Sequence, residues 1–292
     1  MRVVVKNKFC DSSLWDYVEP RKTDIVINTC YKAGTTLTQQ IVNLLIYGNS
    51  DFKNFKYLHD LSPWIELWPD PDYTSLEHKM AHINNLPEPR FLKTHVPFEA
   101  MPYHPEWKYI YLVRDGRDVA LSLYNFRVGY DPEFWEVTEM EPFLEFWDKW
   151  LENGFLWPFW EHTTGWWNAR HLPNVLFIHY GDLIKDKLKE VEKIANFLGI
   201  EFDDAKKEIV MEQSSLEYMK EYWEKFQPVG FLPQKFFGKG KNGCWQELLP
   251  AEKVTEYEKL VVEKLGLECA NWVANGGIIP LPEPSLNAAS QA

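Results

Sequence analysis

The sequence predicts an α/β fold built around a parallel sheet. Two observations carry that expectation. Short apolar runs alternate with segments of helical periodicity, and the transitions fall on small or helix-capping residues. The first transition, NTCYKAGTTL (Asn28–Leu37), joins an apolar run to a helix through a small-residue loop, the local form that holds phosphates.

Each element follows in order. Ile25-Val26-Ile27 is the first strand. After the loop, Leu37, Ile41, Leu44 and Leu45 recur at helical spacing and mark one face of a helix. Arg90-Phe91-Leu92-Lys93 is the second strand, ending at Thr94-His95. Lys108 to Val113 is the third. It runs into Arg114-Asp115, and Asp115 is placed to cap a helix through Phe126. Asn174 to Ile178 is the fourth. After it, Asp182 is expected to cap a long helix with Ile184, Leu188, Val191, Ala195 and Leu198 inward and Gly199 as its stop. Near the end, Pro250 opens a helix bearing Val254, Tyr257, Val261 and Leu265, closed by Gly266.

Ligands of such sheets bind beyond the carboxyl ends of the strands. That rule selects Cys30 to Thr36, Lys93 to His95, Arg114 to Ser122 and the region after Tyr180. These stretches are far apart in sequence, and the sheet is expected to bring them to one rim.

Composition narrows the class. The chain has 292 residues, 45% of them hydrophobic and 16% aromatic, with 14 tryptophans, enough for a large core and an aromatic-lined pocket. Its length sets a soft prior of roughly two domains, though α/β units of this size often form one. Net charge is −12 and no run of Lys and Arg exists, which argues against a general nucleic-acid binder. An acidic protein that binds an anion does so with a local basic cluster rather than its overall field. Cys10, Cys30, Cys244 and Cys269 form no CxxC pair and no zinc spacing, which points to a reduced cytoplasm. The N-terminal apolar stretch is too short for a signal peptide, and no window approaches a membrane span. The expectation is a cytoplasmic protein that engages neither membrane nor nucleic acid and holds no metal.

The rim carries chemistry. The opening loop presents backbone N–H groups at a helix N-terminus, and Thr35 and Thr36 add hydroxyls. It is not the G-x-x-x-x-G-K-[ST] phosphate loop: Lys32 precedes Gly34 by two residues, where its charge could follow a leaving group. Lys93 and His95 lie two apart and point the same way if the strand's alternation continues. A histidine can take a proton from a hydroxyl, and a lysine beside it stabilises developing negative charge. Arg114 and Ser122 lie eight residues apart, about two helical turns, and a guanidinium with a hydroxyl suits a phosphate monoester. Each pair alone also has a plain structural reading. Arg117 and Asp118 read as a surface pair. His78 and His82 have i, i+4 spacing without a glutamate beside the first, and read as surface rather than metal ligands. The acid-rich stretch from Asp131 to Trp150 reads as a solvated helix face over an aromatic core.

In this order the motifs resemble the soluble, cytosolic sulfotransferases that use 3′-phosphoadenosine 5′-phosphosulfate (PAPS). The family's TYPKSGTTW is similar to TCYKAGTTL here, its KTHLP to KTHVP, and its arginine-to-serine segment to RDGRDVALS. Its W-x-x-H-x-x-x-WW resembles WEHTTGWW, its VLFLFYEDL resembles VLFIHYGDL, and its RKG-x-x-G-x-W resembles GKGKNGCW. The similarity spans roughly residues 22 to 262.

The resemblance implies a single α/β domain of the sulfotransferase and nucleoside-kinase type, over residues 1–280, with 281–292 as a flexible tail. It implies sulfonate transfer from PAPS to a hydroxyl or amine of a small-molecule acceptor, releasing PAP. Carried over by position, Lys32, Gly34, Thr35 and Thr36 hold the 5′-phosphosulfate, with Ala33 and Leu37 in the same cofactor loop. Arg114 and Ser122 hold the 3′-phosphate, helped by Lys239 and Gly240. Tyr180 contacts adenine, and Leu216 stands where the family has an adenine-facing Phe. His95 is the general base, with Lys93 and Lys32 on the transferring and leaving oxygens.

Three positions depart from the pattern: Leu37 replaces a Trp, Leu216 a Phe and Gly238 an Arg. The family's KTVxxxE-type dimer motif is not visible in QELLPAEKVTEYEKL, which leaves the oligomeric state open. By analogy residues 59–88 and 127–150 line the acceptor pocket. There Trp64, Trp68, Trp135, Phe143, Phe146 and Trp147 suit an apolar or aromatic acceptor. Glu66, Asp70 and Asp72 either favour a cationic acceptor or face solvent. Two other readings compete. A nucleotide kinase lacks the expected loop and a Mg²⁺-ligand pattern here. A non-catalytic PAP-binding relative is motivated by the three departures and opposed by the retained Lys32, His95 and Ser122.

Overall fold

Four parallel strands form the sheet of the computed structural model, which describes residues 2–52, 54–132, 140–155, 157–228, 230–232 and 235–281. They are β1 (Ile25–Thr29), β2 (Phe91–Thr94), β3 (Lys108–Val113) and β4 (Val175–His179), in the order β2-β1-β3-β4. Asn28 pairs with Thr94 on one side and Tyr111 on the other, and Val113 pairs with His179. This register brings Thr29, His95, Arg114 and Tyr180 to one rim, as the sequence predicts.

The strands read as continuous apolar runs because both faces are covered. On one face Val26, Leu92, Tyr109, Tyr111 and Phe177 pack with Trp147, Trp150, Trp166 and Trp272. On the other, Ile25, Ile27, Ile110, Leu112 and Ile178 pack with aliphatic side chains of the helices α1 (Thr35–Tyr47) and, further along, Lys187–Leu198. Gly48, at φ 72°, ends α1 in the left-handed conformation. The second rim helix, α2 (Gly116–Val128), starts where expected: the Asp115 carboxylate accepts from the Arg117 backbone N–H at 2.8 Å.

The helix after β4 differs from expectation. It is broken into α3 (Tyr180–Lys185) and α4 (Lys187–Leu198), with Asp186 between them. Asp186, not Asp182, caps the longer piece by accepting from Lys189 N–H at 3.2 Å. Asp182 accepts instead from the Gly277 N–H at 2.7 Å. The break turns Ile184 and Leu188 outward, and they are 37% and 39% exposed. Val191 and Ala195 do face the core. The helix after Pro250 runs Ala251–Leu265, and a further helix, Leu267–Asn275, follows Gly266. Among the described residues no helix is long and apolar enough to cross a membrane.

At the end of the sheet opposite the rim, Asp24 and Arg90 precede β1 and β2. Their side chains are fully buried and bonded twice, Arg90 Nε to Asp24 Oδ1 at 2.6 Å and Nη2 to Oδ2 at 2.9 Å. Arg90 also donates to the carbonyls of Ile83 and Glu19. The pair ties the strand beginnings together and thereby sets the register at the rim. Removing one partner leaves an uncompensated buried charge, so Asp24→Ala is expected to cost roughly 3–5 kcal/mol. Urea unfolding of the variant against the parent chain measures this, and a loss below about 1 kcal/mol would contradict the role.

Candidate active site

A cavity of about 1120 Å³ opens on the rim. It receives Lys32, Gly34, Thr35, Thr36 and Leu37 from the first loop, and Lys93 and His95 from the end of β2. Arg114, Ser122 and Tyr180 reach it from β3, α2 and α3, and Leu216, Lys239 and Gly240 from the later chain. The four rim stretches therefore do converge. Ala33 is the exception among the loop residues named above: it is buried in the aliphatic core and does not line the cavity.

His95 is held from two sides. Its Nδ1 lies 2.9 Å from the Thr29 carbonyl and 3.0 Å from the Thr29 hydroxyl. A carbonyl only accepts, so Nδ1 carries the hydrogen and Nε2 keeps its lone pair. The His95 backbone N–H donates to Glu66 Oε1 at 2.5 Å. Burial, and after it the charge of Lys93, pushes the His95 pKa well below the ordinary imidazole value. The ring therefore stays neutral at physiological pH, the state a general base requires.

The lysines are pushed the same way. Burial is the main cause for both, and for Lys32 the charges of Lys93 and Arg114 add to it. Lys93 is brought down to about 8. The effect of Lys93 and Arg114 on Lys32 places the three cations close together in a chain of net charge −12.

Arg114 is buried and organises the late loop. Nε donates to Asn242 Oδ1 at 2.9 Å, and Nη2 donates to the Lys241 carbonyl at 2.9 Å. Its guanidinium lies 4.5 Å from the Tyr180 ring centroid. The same Tyr180 explains Gly34. That residue has φ +99°, and a Cβ there would stand 2.7 Å from Tyr180 Cδ2. Only glycine fits both the left-handed turn and the ring.

Several side chains are not where the sequence reading put them. Arg117 and Asp118 are not a surface pair: both are buried and engage other partners. Arg117 pairs with Asp115 at 2.6 Å, while Asp118 accepts from the Gly243 N–H at 3.0 Å and lies 3.7 Å from Arg114. Asp118 lines the cavity, and its position four residues after Arg114 on α2 was the available signal. Glu66 and Asp70 do not face solvent. Glu66 accepts from Trp64 Nε1, Thr94 Oγ1 and His95 N–H, and Asp70 is paired with buried Lys79 at 2.8 Å. Asp72 lines the cavity and accepts from the Tyr57 hydroxyl. His82 is partly buried beside Asp60 rather than fully on the surface.

The acceptor side also differs. Trp64 lines the cavity, but Trp68, Phe143, Phe146 and Trp147 belong to the aromatic core cluster behind it. Trp135 lies outside the described residues. The aromatic lining comes instead from Phe9, Tyr57, Tyr73, Tyr130, Phe231 and Phe236. His59, at the start of the 59–88 stretch, also lines it, with Nε2 3.0 Å from the Phe226 carbonyl.

A helix N-terminus, three clustered cations and a neutral histidine meet at one rim, an arrangement suited to an anionic ligand. Comparison with known proteins makes this specific. Residues 22–267 match the family model described as the sulfotransferase domain. Sulfotransferase 1C2 of Homo sapiens is 30% identical over 70% of this chain and 68% of its own length. The glycolipid sulfotransferase of Mycobacterium bovis is 26% identical over 89% of this chain and 90% of its own. Among solved structures, retinol dehydratase in complex with androsterone and the inactive cofactor PAP superposes with a TM-score of 0.68 at 26% identity. That match covers 87% of this chain and 83% of the other. A mouse sulfotransferase complexed with PAP has a TM-score of 0.74 at 22% identity, over 92% and 98% of the two chains, and shows the same fold. The chain belongs to the sulfotransferase domain family. It is a PAPS-dependent sulfotransferase enzyme.

The residues present fit that nucleotide. The first N–H groups of α1 have no acceptor within the helix and open on the cavity through Gly34 to Leu37. Gly34→Ala is expected to weaken PAP binding on the order of tenfold or more, because the loop or Tyr180 must move. Calorimetric titration with PAP measures it, and unchanged affinity would show that Tyr180 yields freely.

Proposed function

We propose that the enzyme sulfonates a hydroxyl, or an amine, of a small molecule with an apolar or aromatic body, using His95 as the general base. The observation that carries this reading is the hydrogen bond from His95 Nδ1 to the Thr29 carbonyl, which leaves Nε2 unprotonated beside two lysines. PAPS supplies an activated sulfonate when bound.

The chain's own residues divide the remaining work. The N–H groups at the start of α1, with Thr35 and Thr36, bind the 5′ end of the nucleotide. Arg114 and Ser122, helped by Lys239 and Gly240, bind its 3′-phosphate. Tyr180, Leu37 and Leu216 enclose the base. His95 Nε2 accepts the acceptor's proton as the bond to sulfur forms. Lys93 and Lys32 hold the negative charge that spreads over the sulfonate and bridging oxygens, as cations do in phosphoryl transfer. The aromatic lining around Phe9, Trp64 and Tyr130 takes the acceptor's body. Retinol dehydratase was solved in complex with androsterone, an apolar alcohol of this kind. A cytoplasmic setting is part of the same reading, and the chain from 1 to 280 acts as one catalytic domain.

Two outcomes are expected. Incubation with labelled PAPS and a panel of phenols, alcohols and amines should yield sulfated product and PAP. His95→Ala should lower turnover on the order of 10²- to 10⁴-fold while PAP binding persists. Unchanged turnover would remove His95 from the role. The pH profile of kcat/KM is the second check. His95 works deprotonated, so its acid limb should lie well below the ordinary imidazole value. Lys93 works protonated, so activity should fall as pH rises through about 8. Lys93→Arg, which stays charged, should flatten that alkaline limb. An alkaline limb unchanged in that variant would assign it to another group.

A further inference from the structure

The two lysines of the site are seated on aromatic rings. Lys93 Nζ lies 4.6 Å from the Trp64 ring centroid. Lys32 Nζ lies 3.5 Å from the Phe126 centroid and 5.5 Å from that of Phe236. Among the described residues no carboxylate comes within 4.0 Å of either ammonium. The rings are themselves fixed. Trp64 Nε1 donates to Glu66 at 2.6 Å, and the indole meets His95 edge-on at 4.8 Å and 90°. Phe126 packs against Phe231 at 4.6 Å and Phe236 at 5.9 Å.

We propose that Trp64 and Phe126 are positioning residues that seat the ammonium groups of Lys93 and Lys32 toward the sulfonate, with Glu66 locking the Trp64 ring. The reason is electrostatic. A carboxylate partner would hold each lysine but cancel the charge the reaction needs. A ring face attracts an ammonium through its quadrupole and leaves the net charge intact. Glu66 illustrates the choice. It acts on Lys93 through space, yet its oxygens are turned to Trp64, Thr94 and the His95 N–H. One carboxylate thereby orients the seat of Lys93 and the backbone of His95 together.

The inference rests on the proposed roles of the lysines, and its test separates the two. Fluorinated phenylalanines with one to three fluorines at position 126, and fluorinated tryptophans at 64, keep the ring's shape while draining its negative face. Pulse acylation with acetic anhydride, read by mass spectrometry, reports how much of each lysine is unprotonated and free. At neutral pH, labelling of Lys32 should rise stepwise along the Phe126 series, roughly three- to tenfold in all. Lys93 should respond to the Trp64 series and not to the Phe126 series. A flat response in both series overturns the seats. Saturating PAP should shield both lysines in the parent enzyme. If it shields neither, the lysine roles fall while the seat measurement stands.

Discussion

The bond from His95 to the carbonyl of Thr29 is the contact on which the site depends. It joins the ends of β2 and β1, which are neighbours because the strand order is β2-β1-β3-β4. Thr29 is also the last residue before the anion-binding loop, and its hydroxyl lies 3.0 Å from that of Thr35. One residue thus links His95, the loop and the first turn of α1. Around this junction Asn28 Nδ2 and Trp166 Nε1 both donate to the Val96 carbonyl, pinning the chain just after His95. These groups are buried, and a buried polar group left unpaired costs about 1–3 kcal/mol. The network therefore has a strong preference for one arrangement, and that arrangement selects a single tautomer of the histidine.

The charge distribution works against the site unless a ligand is present. The chain is acidic overall, so its long-range field does not gather an anionic nucleotide. In the proposed binding mode affinity comes from Lys32, Lys93 and Arg114, and the charges of Lys93 and Arg114 lower the preference of Lys32 for charge. A nucleotide carrying negative charge at both ends removes that repulsion as it binds. Asp118 moderates it at the Arg114 end, and its carboxylate is occupied by the Gly243 N–H. At the Lys93 end Glu66 and Asp70 moderate it through space, without a direct ion pair to Lys93 among the described residues.

The sequence showed the four strands, the two rim helices and nearly every cavity residue near a strand end, because strand periodicity and capping are local properties. It failed where tertiary context decides. Ile184 and Leu188 have core-like identity and spacing, but the chain breaks at Asp186 and turns them out. Phe143, Phe146 and Trp147 suit a pocket, yet they pack behind the cavity in the aromatic cluster. Glu66 was the hardest to place. Its neighbours in sequence are apolar, and its three donors come from the strand edge and from an indole two residues away. No local pattern distinguishes a carboxylate that binds substrate from one that orients the catalytic strand.

The departures at Leu37, Leu216 and Gly238 bear on whether the chain binds without catalysing. Leu216 is fitted to Gly240, whose φ is +65° and whose added Cβ would meet Leu216 Cδ2 at 2.8 Å. Leu37 lines the cavity and packs on the aliphatic core. Gly238 has open space around it, while Lys239 and Lys241 line the same cavity. The wall is thus reshaped around smaller side chains, with cations still on the late loop. In the proposed binding mode, a protein that only held PAP would need Arg114, Ser122 and the loop amides. It would not need a buried histidine with one fixed tautomer, nor a second lysine brought down to about 8 beside it. Burying such groups costs several kcal/mol per ion in ordinary settings. Their placement makes physical sense when a proton and a sulfonate move past them.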